Sequence, residues 1–145
     1  MSDLTTVNVD TTHTTGRFLA RARDQFLVTD STVSRGGAEE AWTAGELLLA
    51  AIGTCTVSSV TFFAREEDAP LADVTAATSY ERDPDDPTRY ARVGLDVTTW
   101  GVSQETAEHL VRRYTQNCPV FGTVSRGSGI SVSVRAEAAA DVVRA

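Results

Sequence analysis

The sequence predicts an α+β fold built on antiparallel sheets, because strand-like and helix-like segments occur in blocks rather than in strict alternation. Residues 5–12 and 17–30 show the apolar alternation and the β-branched side chains that are typical of strands. A long apolar helix follows, and then a hairpin, a second helix and a final strand. The length of 145 residues suits one domain, so we expect a single domain over residues 1–145.

The first predicted helix begins near Thr43 and ends at about Arg65, before Pro70. Thr43 and Glu46 have the T-x-x-E spacing of a capping box, which marks the start of a helix. Almost no polar face is present between these ends, and a helix that is apolar all round needs cover on every side. We therefore expect this helix to be buried between the sheets of a dimer.

The second half of the chain predicts a hairpin, a helix and a strand. Residues 71–83 and 88–100 both alternate and are joined by the turn-forming sequence PDDP. Ser103 is suited to cap a helix over residues 104–117, whose apolar positions recur at helical spacing. These positions are Ala107, Leu110, Val111 and Tyr114. A last strand is predicted at residues 130–138.

Composition excludes several classes of function. The net charge of −7 disfavours binding to nucleic acid. All 13 basic residues are arginine, so Schiff-base chemistry on lysine is excluded. No uninterrupted apolar run reaches the roughly 18–20 residues of a membrane span, and the first residues are polar and acidic. We therefore expect a cytoplasmic protein that has no membrane partner.

The chain has two cysteines and two histidines, and they share no motif, so the sequence does not predict a metal site. The two cysteines remain as the candidate reactive groups. Cys55 lies within the apolar helix, where it is either a small buried hydrophobe or a reactive thiol. Cys118 precedes Pro119, and proline favours the first position of a helix. Cys118 is therefore either a helix N-cap, where backbone N–H groups stabilise a thiolate, or an incidental residue at a junction. Their separation in sequence does not tell whether they meet.

Three sequence motifs carry a family resemblance. "GELLLAAIGTCT", followed much later by "CPVFGTVSRG" and then "ISVSV", resembles the OsmC/Ohr family of osmotically induced and organic hydroperoxide resistance proteins. The resemblance spans nearly the whole chain and is closer to the broad OsmC-like group. It implies an intertwined α+β homodimer in which two long central helices, one from each subunit, cross between antiparallel sheets.

The resemblance also implies an activity, a thiol peroxidase that reduces organic hydroperoxides and protects against oxidative stress. Cys55 matches the peroxidatic cysteine, which attacks the peroxide, and Cys118 matches the resolving cysteine, which forms a disulfide with it. An external dithiol or a lipoylated protein would then reduce this disulfide. Such a cycle needs no cofactor, and the chain is expected to bind none.

The family also supplies an arginine and an acidic residue beside the peroxidatic thiol. Arg17 is the best match for the arginine, with Arg21 and Arg23 as alternatives on the same predicted strand face. Glu46 matches the acidic residue, although helix capping explains it equally well. In the hydroperoxide-resistance branch the glutamate lies ten residues before the cysteine, where this chain has Gly45.

Two other functions are compatible with the same residues. The chain is in one case a non-catalytic OsmC-like protein that binds an apolar ligand and keeps its cysteines silent. In the other case it is a redox-responsive interaction protein, in which formation of the disulfide changes a binding surface. A structural disulfide is a weaker alternative, because the cytosol keeps thiols reduced.

Overall fold

The computed structural model describes residues 4–127 and 129–139. The chain divides into two compact units, one up to Leu48 and one from Leu49 onwards. Each unit contains a three-stranded sheet, and the described residues also form three α-helices and one short 3-10 helix. This mixed arrangement confirms the predicted α+β class, while a single domain over residues 1–145 stays a prediction.

The first unit is an antiparallel sheet of three strands in the order β1-β2-β3. The strands are β1 (Asn8–Thr11), β2 (Arg17–Ala22) and β3 (Gln25–Asp30). β2 and β3 form a tight hairpin, in which Arg23 takes a left-handed conformation with φ of 54°. The predicted strand segments are therefore confirmed, and the continuous stretch at residues 17–30 contains a turn.

Helix α1 (Ala44–Glu66) follows, and its start is fixed by the predicted cap. The Thr43 N–H donates to the Glu46 carboxylate at 2.8 Å, and the Thr43 hydroxyl donates to the same oxygen at 2.9 Å. The helix runs without a break through Gly53, where an added Cβ would lie 3.7 Å from the Thr78 methyl group. The predicted helix is confirmed to within a residue at each end.

The length and composition of α1 are sufficient to cross a membrane, although only 22% of its most apolar window is buried. This finding corrects the expectation that no segment reaches such a length, since that expectation treated the interspersed Thr, Ser and Gly as interruptions. One helix of this kind is weak evidence for a membrane protein, because the core helices of soluble proteins pass the same test.

The second unit holds a mixed sheet in the order β4-β5-β6. Strands β4 (Asp73–Arg82) and β5 (Tyr90–Trp100) form the predicted antiparallel hairpin, whereas β6 (Ile130–Glu137) pairs with β5 in parallel. The expectation of purely antiparallel sheets is wrong for this last strand. Two helices, α2 (Gln104–Asn117) and α3 (Pro119–Gly127), connect β5 to β6, and a helical crossover of this length permits parallel pairing.

The core of the second unit is formed by α1, α2 and one face of β5. Helix α2 begins at Ser103, whose hydroxyl accepts the Thr106 N–H at 3.1 Å, and its buried positions are the four predicted from the sequence. Tyr114, the largest of them, is completely buried. The other buried apolar side chains of these three elements are Ile52, Val60, Phe63, Ala64, Val93, Leu95, Val97, Ala107, Leu110 and Val111. This packing brings the middle of α1 close to the end of α2.

Candidate functional site

Cys118 lies at the junction of α2 and α3, where it ends one helix and caps the next. Its N–H donates to the Tyr114 carbonyl at 2.9 Å, and its own carbonyl accepts the Gly122 N–H at 2.9 Å. The Cys118 sulfur accepts the Phe121 N–H at 3.5 Å, as an N-cap side chain does. The predicted N-cap position is confirmed, and it directs backbone donors of α3 towards the sulfur.

Cys55 lies in the middle of α1 and is half-buried, whereas Cys118 is only 8% exposed. The two side chains are near enough for Cys118 to affect the pKa of Cys55, and both are free thiols. Packing of α1 and α2 in the same unit thus brings together two cysteines that are far apart in sequence. The two sulfurs are not at disulfide distance, so a disulfide between them requires one or both cysteines to move.

Burial raises the pKa of the Cys55 thiol above its ordinary value, and the neighbouring Cys118 side chain raises it further. Both causes favour the protonated thiol, because the charged form loses hydration and meets a second sulfur. The thiolate is the nucleophilic form of cysteine. A reactive Cys55 therefore needs a cation or hydrogen-bond donors to offset these two effects.

Tyr114 lies beside Cys55 and Cys118, and the three residues are called the cysteine cluster below. From the sequence, Tyr114 was predicted only as a core residue. Its hydroxyl donates to the Ile52 carbonyl at 3.4 Å, and the side chains of Thr56 and Cys118 are near enough to affect its pKa. Burial raises the pKa of Tyr114 to about 12. The sequence carried a signal for this contact, because Tyr114 precedes Cys118 by one helical turn and the two share a helix face.

Arg17, the predicted activating arginine, is held by two carboxylates of the first unit. Its Nε lies 2.8 Å from Asp30 Oδ1, and its Nη2 lies 3.0 Å from Asp30 Oδ2 and 2.8 Å from Glu40 Oε2. Neither acid was predicted as a partner of Arg17 from the sequence. The register of the β2–β3 hairpin pairs Arg17 directly with Asp30, so locating the turn at Arg23 would have predicted the contact.

Asp30 also anchors the loop that precedes α1. Its carboxylate accepts the N–H groups of Glu40 and Ala41 at 2.9 and 3.2 Å. The bond from Arg17 is the largest cause that lowers the pKa of Asp30 from 3.8 to about 2. The same two carboxylates raise the pKa of Arg17, so the guanidinium is a permanent cation whose orientation is fixed.

The described contacts of Glu46 and Arg17 are with other residues and not with each other, and one of the two alternative arginines lies off the expected strand face. Glu46 accepts two hydrogen bonds from Thr43, which lower its pKa, while Arg17 bonds to Asp30 and Glu40. Arg23 lies in the turn rather than on the strand face of Arg17, which corrects that part of the sequence analysis. Arg21 lies on β2, four residues after Arg17 and on the same strand face.

Comparison with protein families decides the classification of this chain. The model of the OsmC-like protein family matches residues 36–135, which include both cysteines and Glu46. The chain belongs to the OsmC-like family. A comparison with curated proteins gives no significant match.

Solved structures share the fold of this OsmC-like chain at low sequence identity. An OsmC-like protein from Mycoplasma pneumoniae has a TM-score of 0.82 at 11% identity, over 94% of this chain and 99% of that one. A detoxification response protein from Psychrobacter arcticus has a TM-score of 0.75 at 22% identity, over 94% and 98%. The organic hydroperoxide resistance protein OsmC from Legionella pneumophila has a TM-score of 0.71 at 22% identity, over 92% and 97%. At these identities the likeness establishes the fold alone.

Two cavities of the OsmC-like chain lie near Cys118 in the second unit. The larger, of about 410 Å³, is mostly apolar and is lined by Glu108, Val111, Arg112, Thr115, Phe121, Val132 and Val134. The smaller, of about 320 Å³, includes Cys118 and Arg126 in its lining. Phe121 also packs edge-to-face on Tyr114, with ring centroids 5.5 Å apart, so the larger cavity adjoins the aromatic side of the cysteine cluster.

Proposed function

We propose that this OsmC-like chain is a thiol-dependent reductase of organic hydroperoxides that uses Cys55 as the peroxidatic and Cys118 as the resolving cysteine. The observation that carries the proposal is the proximity of these two free thiols, which lie far apart in sequence and interact in the folded chain. Membership of the OsmC-like family supports it, as does the likeness in fold to the organic hydroperoxide resistance protein of Legionella pneumophila.

The first step oxidises Cys55 and reduces the peroxide. The Cys55 thiolate attacks the distal oxygen of the hydroperoxide, a sulfur–oxygen bond forms, and the oxygen–oxygen bond breaks. The leaving alkoxide takes a proton and departs as an alcohol, so that Cys55 remains as a sulfenic acid. The apolar residues around the cysteines favour fatty or aromatic hydroperoxides over hydrogen peroxide.

The second step forms the disulfide, and a third step restores the thiols. The Cys118 sulfur attacks the sulfenic sulfur of Cys55, the sulfur–oxygen bond breaks, and water leaves with the proton of the Cys118 thiol. A dithiol, either small or carried by a lipoylated protein, then reduces the disulfide by two thiol exchanges. The reductant becomes a cyclic disulfide, and both cysteines return to thiols.

A cation is required to make the Cys55 thiolate, because burial and Cys118 both raise its pKa. In this proposal the cation is Arg17, with Arg21 as the alternative on the same strand, and Glu46 is the accompanying acidic residue. The fixed guanidinium of Arg17 supports this choice, since Asp30 and Glu40 hold its orientation. The functional unit is a cytoplasmic homodimer, in which a second copy covers the exposed part of α1.

Turnover with a defined peroxide tests the function. Cumene hydroperoxide and dihydrolipoamide are supplied to the wild type and to Cys55→Ser and Cys118→Ser, and loss of peroxide is followed. We expect catalytic turnover by the wild type, none by Cys55→Ser, and a single turnover by Cys118→Ser. Turnover that survives in Cys55→Ser contradicts the proposal.

An apolar-ligand-binding protein with silent cysteines is the second candidate function. The cavity of about 410 Å³ favours it, since its lining is mostly apolar, and so does the raised pKa of Cys55. A dimedone probe separates the two functions, because dimedone labels only sulfenic acid. Labelling of Cys118→Ser after addition of hydroperoxide supports the reductase, and unlabelled protein supports the binding function.

A further inference from the structure

The Cys118 sulfur lies between two hydrogen-bond donors from different helices. The Phe121 N–H of α3 donates to it at 3.5 Å, and the Tyr114 side chain, one turn earlier on α2, is near enough to interact with the same thiol. Tyr114 has no solvent exposure, and its ring packs edge-to-face on Phe121 at 5.5 Å. This packing holds the phenol in one position, where its hydroxyl is near enough to both cysteines to interact with them.

The alternative acceptor for this hydroxyl is weak. Tyr114 OH lies 3.4 Å from the Ile52 carbonyl, which is long for an O–H···O bond, and the Thr56 hydroxyl already donates to that carbonyl at 2.8 Å. A thiolate is a charged acceptor, and hydrogen bonds to charged groups are about twice as strong as those between neutral groups. The phenol proton is thus free to turn to a sulfur anion when one forms.

We propose that the Tyr114 hydroxyl donates a hydrogen bond to the Cys118 sulfur anion and is a catalytic residue of the step in which Cys118 resolves oxidised Cys55. This inference rests on the proposed function and extends it to a third side chain. In the step, the Cys118 thiol loses its proton and the anion attacks the sulfenic sulfur of Cys55. The disulfide bond forms as the sulfur–oxygen bond breaks, and the leaving hydroxide takes the released proton to become water.

Tyr114 keeps its own proton throughout this step. Burial raises its pKa to about 12, so the phenol is a donor at every pH at which the protein works. The attack on the peroxide occurs at Cys55, whereas the phenol and the Phe121 N–H both serve Cys118. Removal of the hydroxyl is therefore expected to slow disulfide formation and to leave the attack on peroxide unchanged.

The variant Tyr114→Phe tests this separation of the two steps. Reduced protein is mixed rapidly with one equivalent of cumene hydroperoxide, and sulfenic acid and disulfide are measured separately by dimedone trapping and non-reducing peptide mapping. We expect disulfide formation to slow about tenfold or more, the effect of losing a hydrogen bond to a charged group, while sulfenic acid accumulates. Tyr80→Phe is the matched control, since Tyr80 stacks on Tyr90 in the β4–β5 hairpin, and it should behave as the wild type.

A structural role for the phenol gives a different result. Thermal unfolding is measured for each variant, and Tyr114→Met, which also lacks the hydroxyl, replaces Tyr114→Phe if that variant does not fold. If the folded variant forms the disulfide at the wild-type rate, or loses rate only in proportion to its unfolded fraction, the inference is overturned.

A wild type that does not react with hydroperoxide defeats the proposed function alone. The same variants are then oxidised with diamide, where slower disulfide formation in Tyr114→Phe supports the role of Tyr114 and an unchanged rate refutes it.

Discussion

At the scale of single residues, two groups of side chains matter most for the proposed function, one in each unit. Asp30 holds Arg17 and two loop N–H groups in the first unit. Cys118 gathers the Cys55 thiol, the Tyr114 phenol and a backbone donor in the second. The first arrangement fixes a cation, and the second brings a pair of sulfurs together. Each can be tested by removing one side chain.

The lowered pKa of Asp30 leads us to expect that the folded protein loses stability in acid. Its pKa is lowered from 3.8 to about 2 in the folded protein, so the unfolded chain binds the proton more readily. Its stabilising contribution is complete above about pH 4 and is lost as the pH falls through about 2. We expect urea unfolding to show a steeper loss of stability over this range in the wild type than in Asp30→Asn. Asp24→Asn, a carboxylate lost from the exposed turn of the same hairpin, should follow the wild-type curve, and an Asp30→Asn curve parallel to the wild type contradicts the account.

At the scale of elements, local patterns predicted most of the helices and strands. The residues Thr43 and Ser103 marked the starts of α1 and α2, because the Thr43 N–H donates to the Glu46 carboxylate and the Ser103 hydroxyl accepts the Thr106 N–H. Pro119 similarly indicated the start of α3. The parallel pairing of β6 was not predicted, since strand direction depends on the route of the connecting helices and not on alternation within the strand.

Replacing Gly53 in α1 by alanine is expected to stabilise the folded protein. A glycine inside a helix costs about 0.5–1 kcal/mol relative to alanine, and a Cβ at this position would meet the Thr78 methyl group in ordinary contact at 3.7 Å. We expect Gly53→Ala to raise the free energy of unfolding in urea by about this amount. Gly101→Ala is the opposing control, because Gly101 has φ of 88° and its Cβ would lie 2.6 Å from the Pro70 carbonyl oxygen. A destabilised Gly53→Ala would show that the helix does not tolerate a Cβ there.

At the scale of the whole molecule, the sequence motifs predicted the family, and the family model matches residues 36–135. The proximity of the two cysteines in the fold could be predicted only from the family resemblance, since their separation along the chain carries no geometric information. The role of Tyr114 was missed because a buried tyrosine at helical spacing is first interpreted as core. The Arg17–Asp30 pair was missed because the hairpin turn was not located within residues 17–30.

The low burial of α1 predicts association of two chains. Only 22% of its most apolar window is buried, and Phe62 on this helix is 49% exposed. Covering such a surface in water removes apolar area and stabilises the assembly. We expect light scattering to give twice the 15.5 kDa of the chain for the wild type and the monomer mass for Phe62→Glu. Ala91→Glu, at an exposed position of β5, is the control, and a monomeric wild type at micromolar concentration contradicts the prediction.

The most direct test of the central claim is to identify the oxidised product by mass spectrometry. Reduced wild-type protein is treated with one equivalent of cumene hydroperoxide, remaining thiols are alkylated, and peptides are mapped without reductant. The account predicts that one disulfide joins the Cys55 and Cys118 peptides within the same chain, with one alcohol released for each disulfide. Recovery of both cysteines as alkylated thiols, or of a disulfide between chains instead, would contradict it.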